Sequence, residues 1–437
     1  MVNLVIFSML ERFNGEAGHA VGGMKSLDTP VRADEPTNPE TPAAVEQAKM
    51  VRLQSKIREK VVFLSRPEVR EATDEFNRRD KNLVWNQNHW FQQECGVNVS
   101  LVDQDGRLDP RAFSVDVGGK ISKDDLSAQQ KKVSVLEGVF ADALNPDVVD
   151  NVKMTPQAQR ISQTRFALRR EHRLRRYGIS KGTPHADSLL RTIYEAERPY
   201  KETYHAERAV MHTLYDILQQ HFIVVRSTKY GDYAEGVDTM ILDKTTGELL
   251  CTLDEVRTSF HDRDRVHGSD SSLGGHDASS EEDTSEAFWR EKQKLRQTKS
   301  DNMNGGRTIT HGLSIVTDTR TGQRTLQRGP VHNVPVLCIG VEAMLLRSVT
   351  RSLSKQRNAK DEKELKRRGQ MSCTREQQEL FNTILQQIEE QIDELVTRPA
   401  HESGANREEY EKMRSNANKI RVSLTKMRDL GRSAIVR

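Results

Sequence analysis

The chain has 437 residues, 35% of them apolar and 30% charged, a polar balance for a wholly globular protein. Its 67 basic and 64 acidic residues leave a net charge of +3, which excludes a basic coat and confines any nucleic-acid contact to local patches. Cys95, Cys251, Cys338 and Cys373 stand far apart with no CxxC pair, which argues against a zinc ribbon or thioredoxin-like motif and fits a reducing, cytoplasmic compartment.

The opening MVNLVIFSMLERF is apolar, but it is too short to span a bilayer and lacks a basic leader. No other segment offers a membrane span. Residues 1–42 are expected to be disordered, because the stretch from Asn14 is rich in Gly, Pro and acids and poor in large apolar side chains. Residues 43–180 read as mostly helical. Val45, Met50, Leu53, Ile57, Val61 and Leu64 recur at three- to four-residue steps, and Pro67 breaks that helix or starts the next. Trp85, Trp90 and Phe91 suggest an aromatic cluster, Val97–Asp103 a strand, and Ser122–Leu144 another helix.

The segment Arg160–Arg176, RISQTRFALRREHRLRR, holds seven arginines opposed by Glu171 alone. It reads in two ways. It is either a solvated helix paired with acidic neighbours, or a phosphate-contacting helix using Arg165, Arg169, Arg170, Arg173 and Arg176.

Residues 189–353 are the most credible compact domain. A helix over Ala206–Gln220 leads to a strand over Phe222–Val225 and then to two apolar runs around a polar turn. Residues 257–283 resemble a long flexible loop. His261, His267 and His276 lie there among acids, but their spacing matches no ordered zinc motif. A helix over Ser285–Lys299, strands over Thr308–Val316 and Val334–Val341, and a helix over Glu342–Leu353 follow. The fold class expected is α/β or α+β, a central mixed sheet flanked by helices. Residues 372–437 carry two helical apolar sets, one from Leu380 to Leu395 and one from Tyr410 to Met427. They suit a hairpin on their own domain, or a coiled coil joining a second copy or another protein.

The stretch Gly236–Arg257, GVDTMILDKTTGELLCTLDEVR, places acids where buried strands avoid them. Pairing Asp243 with Glu248 across the turn sets Asp238 opposite Leu253. Alternation then puts Glu255 and Arg257 on the Asp238 face and Asp254 on the other; a slip of one residue exchanges Asp254 for Glu255. Either way, two carboxylates from adjacent strands converge.

An acid at the start of one strand followed by acid-x-basic on the next resembles the PD-(D/E)xK, or restriction-endonuclease-like, nuclease superfamily, over roughly Tyr204 to Val341. The resemblance implies a mixed sheet with flanking helices and metal-dependent phosphodiester hydrolysis. Asp238 and Glu255 would hold Mg²⁺, with Mn²⁺ as its substitute, Asp254 would be the alternate ligand, and Glu207 the extra acid on the preceding helix. The sequence departs from the pattern twice. Val237 stands where proline is usual, and Arg257 replaces the catalytic lysine, a change that matters because arginine does not readily deprotonate. Lys292 or Lys294 on the later helix would then have to supply that group. The function expected is a divergent metal-dependent nuclease-like protein that hydrolyses or binds nucleic-acid phosphodiesters. The alternative is a non-enzymatic helical scaffold carrying an inactive nuclease-like domain.

Overall fold

Every peptide of the strand Phe222–Arg226 is buried, as β-branched and aromatic FIVVR dictates, and a mixed sheet is built outward from it. A computed structural model describes residues 42–143, 156–180, 182–183, 185–258, 298–302, 304–355, 373–397 and 407–433. The segment expected to be disordered, nearly all of the long loop with its histidines, and the helix of Lys292 and Lys294 lie outside these residues. The chain divides into a unit up to Arg52 and a unit from Leu53 to Arg437.

The helices are α1 (Pro42–Leu64), α2 (Pro67–Cys95), α3 (Lys123–Phe140), α4 (Pro156–Arg176), α5 (Ala186–Glu197), α6 (Glu202–Leu218), α7 (Ala343–Lys355), α8 (Arg375–Thr397) and α9 (Arg407–Ser433). The strands are β1 (Phe222–Arg226), β2 (Thr239–Asp243), β3 (Leu249–Thr258), β4 (Arg307–Thr317), β5 (Arg324–Val334) and β6 (Val336–Glu342). Pro67 starts α2, where its missing N–H costs nothing, and Gly96 ends it in the left-handed region. Ser122 caps α3 by accepting from Asp125 N at 3.1 Å.

The fold is α+β. The main sheet has the order β1-β2-β3-β6, antiparallel except for the parallel pair β3/β6, and β4 and β5 form a second, antiparallel sheet. Alternation along β1 assigns the two faces. Phe222 and Val224 point into a core shared with α2, α6, α7, α8 and α9, while Ile223 and Val225 point into a core shared with β4, β5 and residues 97–121. Phe76 of α2, Leu380 of α8 and Met413 of α9 therefore belong to one core with the sheet, so the regions read as 43–180, 189–353 and 372–437 share a single unit from Leu53 onward. Helices α8 and α9 run antiparallel, with Tyr410 Oη donating to Leu395 O at 3.4 Å and Arg428 paired to Glu389 at 2.7 Å. Their apolar faces are buried within this chain.

The edge strand β6 is closed by side-chain carboxamides. Asn302, Gln391 and Gln387 each accept from one backbone N–H and donate to the C=O of the same residue, at Val336, Cys338 and Gly340 in turn. The carboxamides thus stand where a further strand would otherwise pair.

Two expectations are corrected. Val97–Asp103 forms no strand: Leu101 N and Val102 N both donate to the Asn88 carboxamide at 2.8 and 3.0 Å, and Val102 makes only an isolated bridge to Leu108. Arg324–Val334, unmarked in the sequence, is a full strand pairing with β4. No described helix is long and apolar enough to cross a membrane.

Candidate functional site

The turn between β2 and β3 forms as the residues require. Asp243 Oδ1 accepts from Thr245 N and Thr246 N at 2.6 and 3.1 Å, and Asp243 N donates to Glu248 O at 3.0 Å. Gly247 has φ +74°, and a Cβ there would lie 2.2 Å from Ile315 O, so only glycine fits. The expected register holds beside the turn, where Leu242 faces Leu249, and then slips at a bulge between Ile241 and Leu242. Leu250 and Cys251 consequently both enter the helix-side core. Beyond the bulge Thr239 faces Leu253. Asp238 therefore counts opposite Asp254 and shares its face, the register slipped by one residue, which corrects the reading that set Glu255 and Arg257 on the Asp238 face; Glu255 falls on the helix face of the sheet.

That face assembles a polar group under α6. Arg226 pairs with Thr239 across β1 and β2, Thr239 Oγ1 donates to Glu255 Oε1 at 2.7 Å, and Arg226 Nη2 donates to Glu207 Oε2 at 2.6 Å. Asp238 precedes β2, with its N–H bonded to Leu253 O at 2.9 Å, and its Oδ2 accepts from Glu255 N at 2.8 Å. Asp254 lies on the opposite face beside Gly236 and Arg307. Past Leu253, β3 pairs only with β6 as far as Thr258, so β6 supports the strand end that carries Asp254 and Glu255.

Two further groups close the cluster. Between β1 and β2 the chain makes a single π-turn, Gly231–Glu235, which presents Asp232 to Arg107 at 2.8 Å. Arg107, only 1% exposed, also reaches Glu207 at 3.5 Å and donates to Ser227 O at 3.4 Å.

Burial pushes the Asp238 carboxyl well above its ordinary range, and Asp232, Glu255, Glu207 and Asp254 push it in the same direction. Burial likewise raises Glu255 to about 8; the Thr239 hydrogen bond and Arg226 oppose the rise, while Glu207 and Asp254 add to it. Glu255 Oε2 is buried without a hydrogen-bond partner, as is Arg107 Nε. A buried carboxylate oxygen with no donor, next to further carboxylates, suits a hard divalent cation. The all-oxygen donor set fits Mg²⁺ or Mn²⁺ rather than a thiolate- or imidazole-seeking metal. Among the described residues, no group of three or more His, Cys, Asp or Glu forms a ready cage, and Glu207 is already held by two guanidinium groups.

The other sequence candidates are placed less centrally. Arg257 contributes its backbone to the β3/β6 ladder opposite Val341, and its side chain lies outside the described residues, as does that of Arg165. Lys292 and Lys294 lie outside them entirely. On α4, Arg169 and Arg173 both meet Asp142 at 3.2 Å, Arg170 meets Asp187 at 2.6 Å, and Arg176 reaches Glu197 at 4.0 Å. Four arginines of the helix thus meet three acids, with Arg169 and Arg176 about half exposed, an arrangement compatible with both readings. Sequence reasoning missed Arg107, Arg226, Asp232 and Thr239. Only Arg226, a charge ending an otherwise apolar strand, left a local signal. No protein-family model, curated protein or solved structure matches the chain.

Proposed function

We propose that this is a divergent, metal-dependent nuclease-like protein whose acid cluster acts on nucleic-acid phosphodiesters. The observation that carries the reading is the buried, partnerless Oε2 of Glu255, whose own backbone N–H donates to Asp238 Oδ2 at 2.8 Å. Asp238 and Glu255 would hold Mg²⁺ or Mn²⁺; Thr239 orients Glu255, and Arg226 with Arg107 orients Glu207. When bound, such a cation supplies Lewis acidity to a phosphate oxygen and lowers the pKa of water. The mixed sheet with helices packed on it supports the resemblance to the PD-(D/E)xK superfamily. Four buried cysteines, none in a disulfide, support a reducing cytoplasmic setting.

One observation favours the non-enzymatic alternative. Glu207 is neutralised by the protein's own arginines, and Arg257 offers no readily removable proton. Incubating the full chain with labelled single- and double-stranded DNA and RNA in Mg²⁺ or Mn²⁺ separates the two. The nuclease reading expects cation-dependent cleavage that Asp238→Asn abolishes. Intact substrate across the whole panel, or cleavage that survives Asp238→Asn, overturns it.

A further inference from the structure

A cleft of about 370 Å³ opens between α3 and the β4–β5 sheet, walled by Lys120, Gln129, Lys132, Tyr230 and Thr310 among others. This is at the small end of ligand-binding clefts. Its chemistry is specific. Lys132 Nζ stands 5.7 Å from the centre of the Tyr230 ring, at the outer limit of a cation–π contact, so the ammonium can swing to an anion and leave the ring face to another planar group. Lys120 Nζ uses one hydrogen bond on Gln327 at 3.0 Å. Gln129 Oε1 is buried with no hydrogen-bond partner. On the facing wall, Thr310 is bonded to Glu235, whose Oε2 is also buried and partnerless. Tyr230 is braced edge-on by His311 at 5.8 Å, and His311 in turn by Phe113 at 4.9 Å. Asp125 shares the wall and Glu235 lies behind Thr310, so two lysines meet two acids, and a phosphate here would be held by directed ammonium hydrogen bonds rather than by net positive charge.

We infer that this cleft binds one nucleotide unit, with the base on Tyr230, its polar edge against Gln129, and the phosphate between Lys120 and Lys132. The segment that begins at Tyr230 continues through Asp232 to Asp238, so the cleft and the acid cluster share one short stretch of chain. The assignment of the unit to a nucleic-acid strand rests on the nuclease-like reading; the chemistry of the cleft does not.

The test uses the full chain in EDTA, which removes cleavage from the measurement. Fluorescence anisotropy follows a labelled single-stranded oligonucleotide, and a second arm follows adenosine monophosphate by ligand-observed NMR. Lys132→Glu and Tyr230→Ala are expected to weaken oligonucleotide binding about tenfold each, while Tyr230→Phe keeps the ring and binds as wild type. Circular dichroism of each variant guards against misfolding. Binding of adenosine monophosphate alone, sensitive to the same variants, assigns the cleft to a free nucleotide and overturns the strand assignment. No binding in either arm, or binding that all three variants share with wild type, overturns the inference. Metal-dependent cleavage by a protein that fails here would leave the acid-cluster reading standing, and the converse result would leave the cleft standing.

Discussion

Replacing Gln387 and Gln391 together by leucine removes the side chains that close the sheet at β6 while keeping apolar bulk on α8. Four hydrogen bonds to the sheet are lost, at 3.0, 2.8, 2.8 and 2.8 Å, each joining a carboxamide to the backbone of Cys338 or Gly340. Cys338 is buried and Gly340 half-buried, so at Cys338 above all water cannot take over the peptide without opening the helix from the sheet. At about 1 kcal/mol per bond the loss is about 4 kcal/mol, and peptides left unsatisfied raise it further. Against the 5–15 kcal/mol typical of a folded domain, roughly a third of the stability is at stake. Urea unfolding followed by circular dichroism measures it, with Gln386→Leu as control. Gln386 bonds only to Glu390 on the exposed face, and its loss is expected to cost less than about 0.5 kcal/mol. A double variant within about 1 kcal/mol of wild type would refute the claim that these carboxamides hold the edge. So would a control that loses as much as the double variant.

Two further outcomes follow from buried charge. Burial holds the His311 imidazole near 4, below its ordinary 6.5, so the folded state keeps it neutral. The stability this contributes is complete above pH 6.5 and is lost as pH falls through about 4, a difference of about 3 kcal/mol. His311→Gln, which cannot titrate, is expected to show a correspondingly shallower fall in unfolding free energy between pH 7 and pH 4; parallel profiles would contradict it. Arg226→Met strips Glu207 of its 2.6 Å partner and leaves only the 3.5 Å contact from Arg107. Losing this charged hydrogen bond to a partly exposed carboxylate costs about 2 kcal/mol, readable as a lowered urea midpoint, and an unchanged midpoint would show that Glu207 is not held by this arginine.

The central strands were legible because Phe222–Val225 and Met240–Leu242 are unbroken apolar runs, and the turn between β2 and β3 was legible because an aspartate and a glycine fix its ends. The bulge was not. Leu249 and Leu250 carry the same side chain, so nothing in the sequence tells which of them is the extra residue, and the slip moved Glu255 to the helix face. Strand β5 was hidden by Arg328 and Pro330, which interrupt its alternation. Val97–Asp103 has the composition of a strand, but its amides are claimed by the Asn88 side chain, a partner no local pattern shows. The acids Asp238, Asp254 and Glu255 were found because charge inside an apolar run is conspicuous. Arg107 was not, because it reaches Glu207 from a distant part of the chain and only folding brings the two together.

The most direct test is calorimetric titration of Mn²⁺ into the full chain at pH 8, on the alkaline side because burial raises the Glu255 carboxyl. The account predicts saturable binding that Asp238→Asn and Glu255→Gln each abolish while the fold, by circular dichroism, is retained. Absence of binding by the wild-type protein, or binding that both variants preserve, would contradict it.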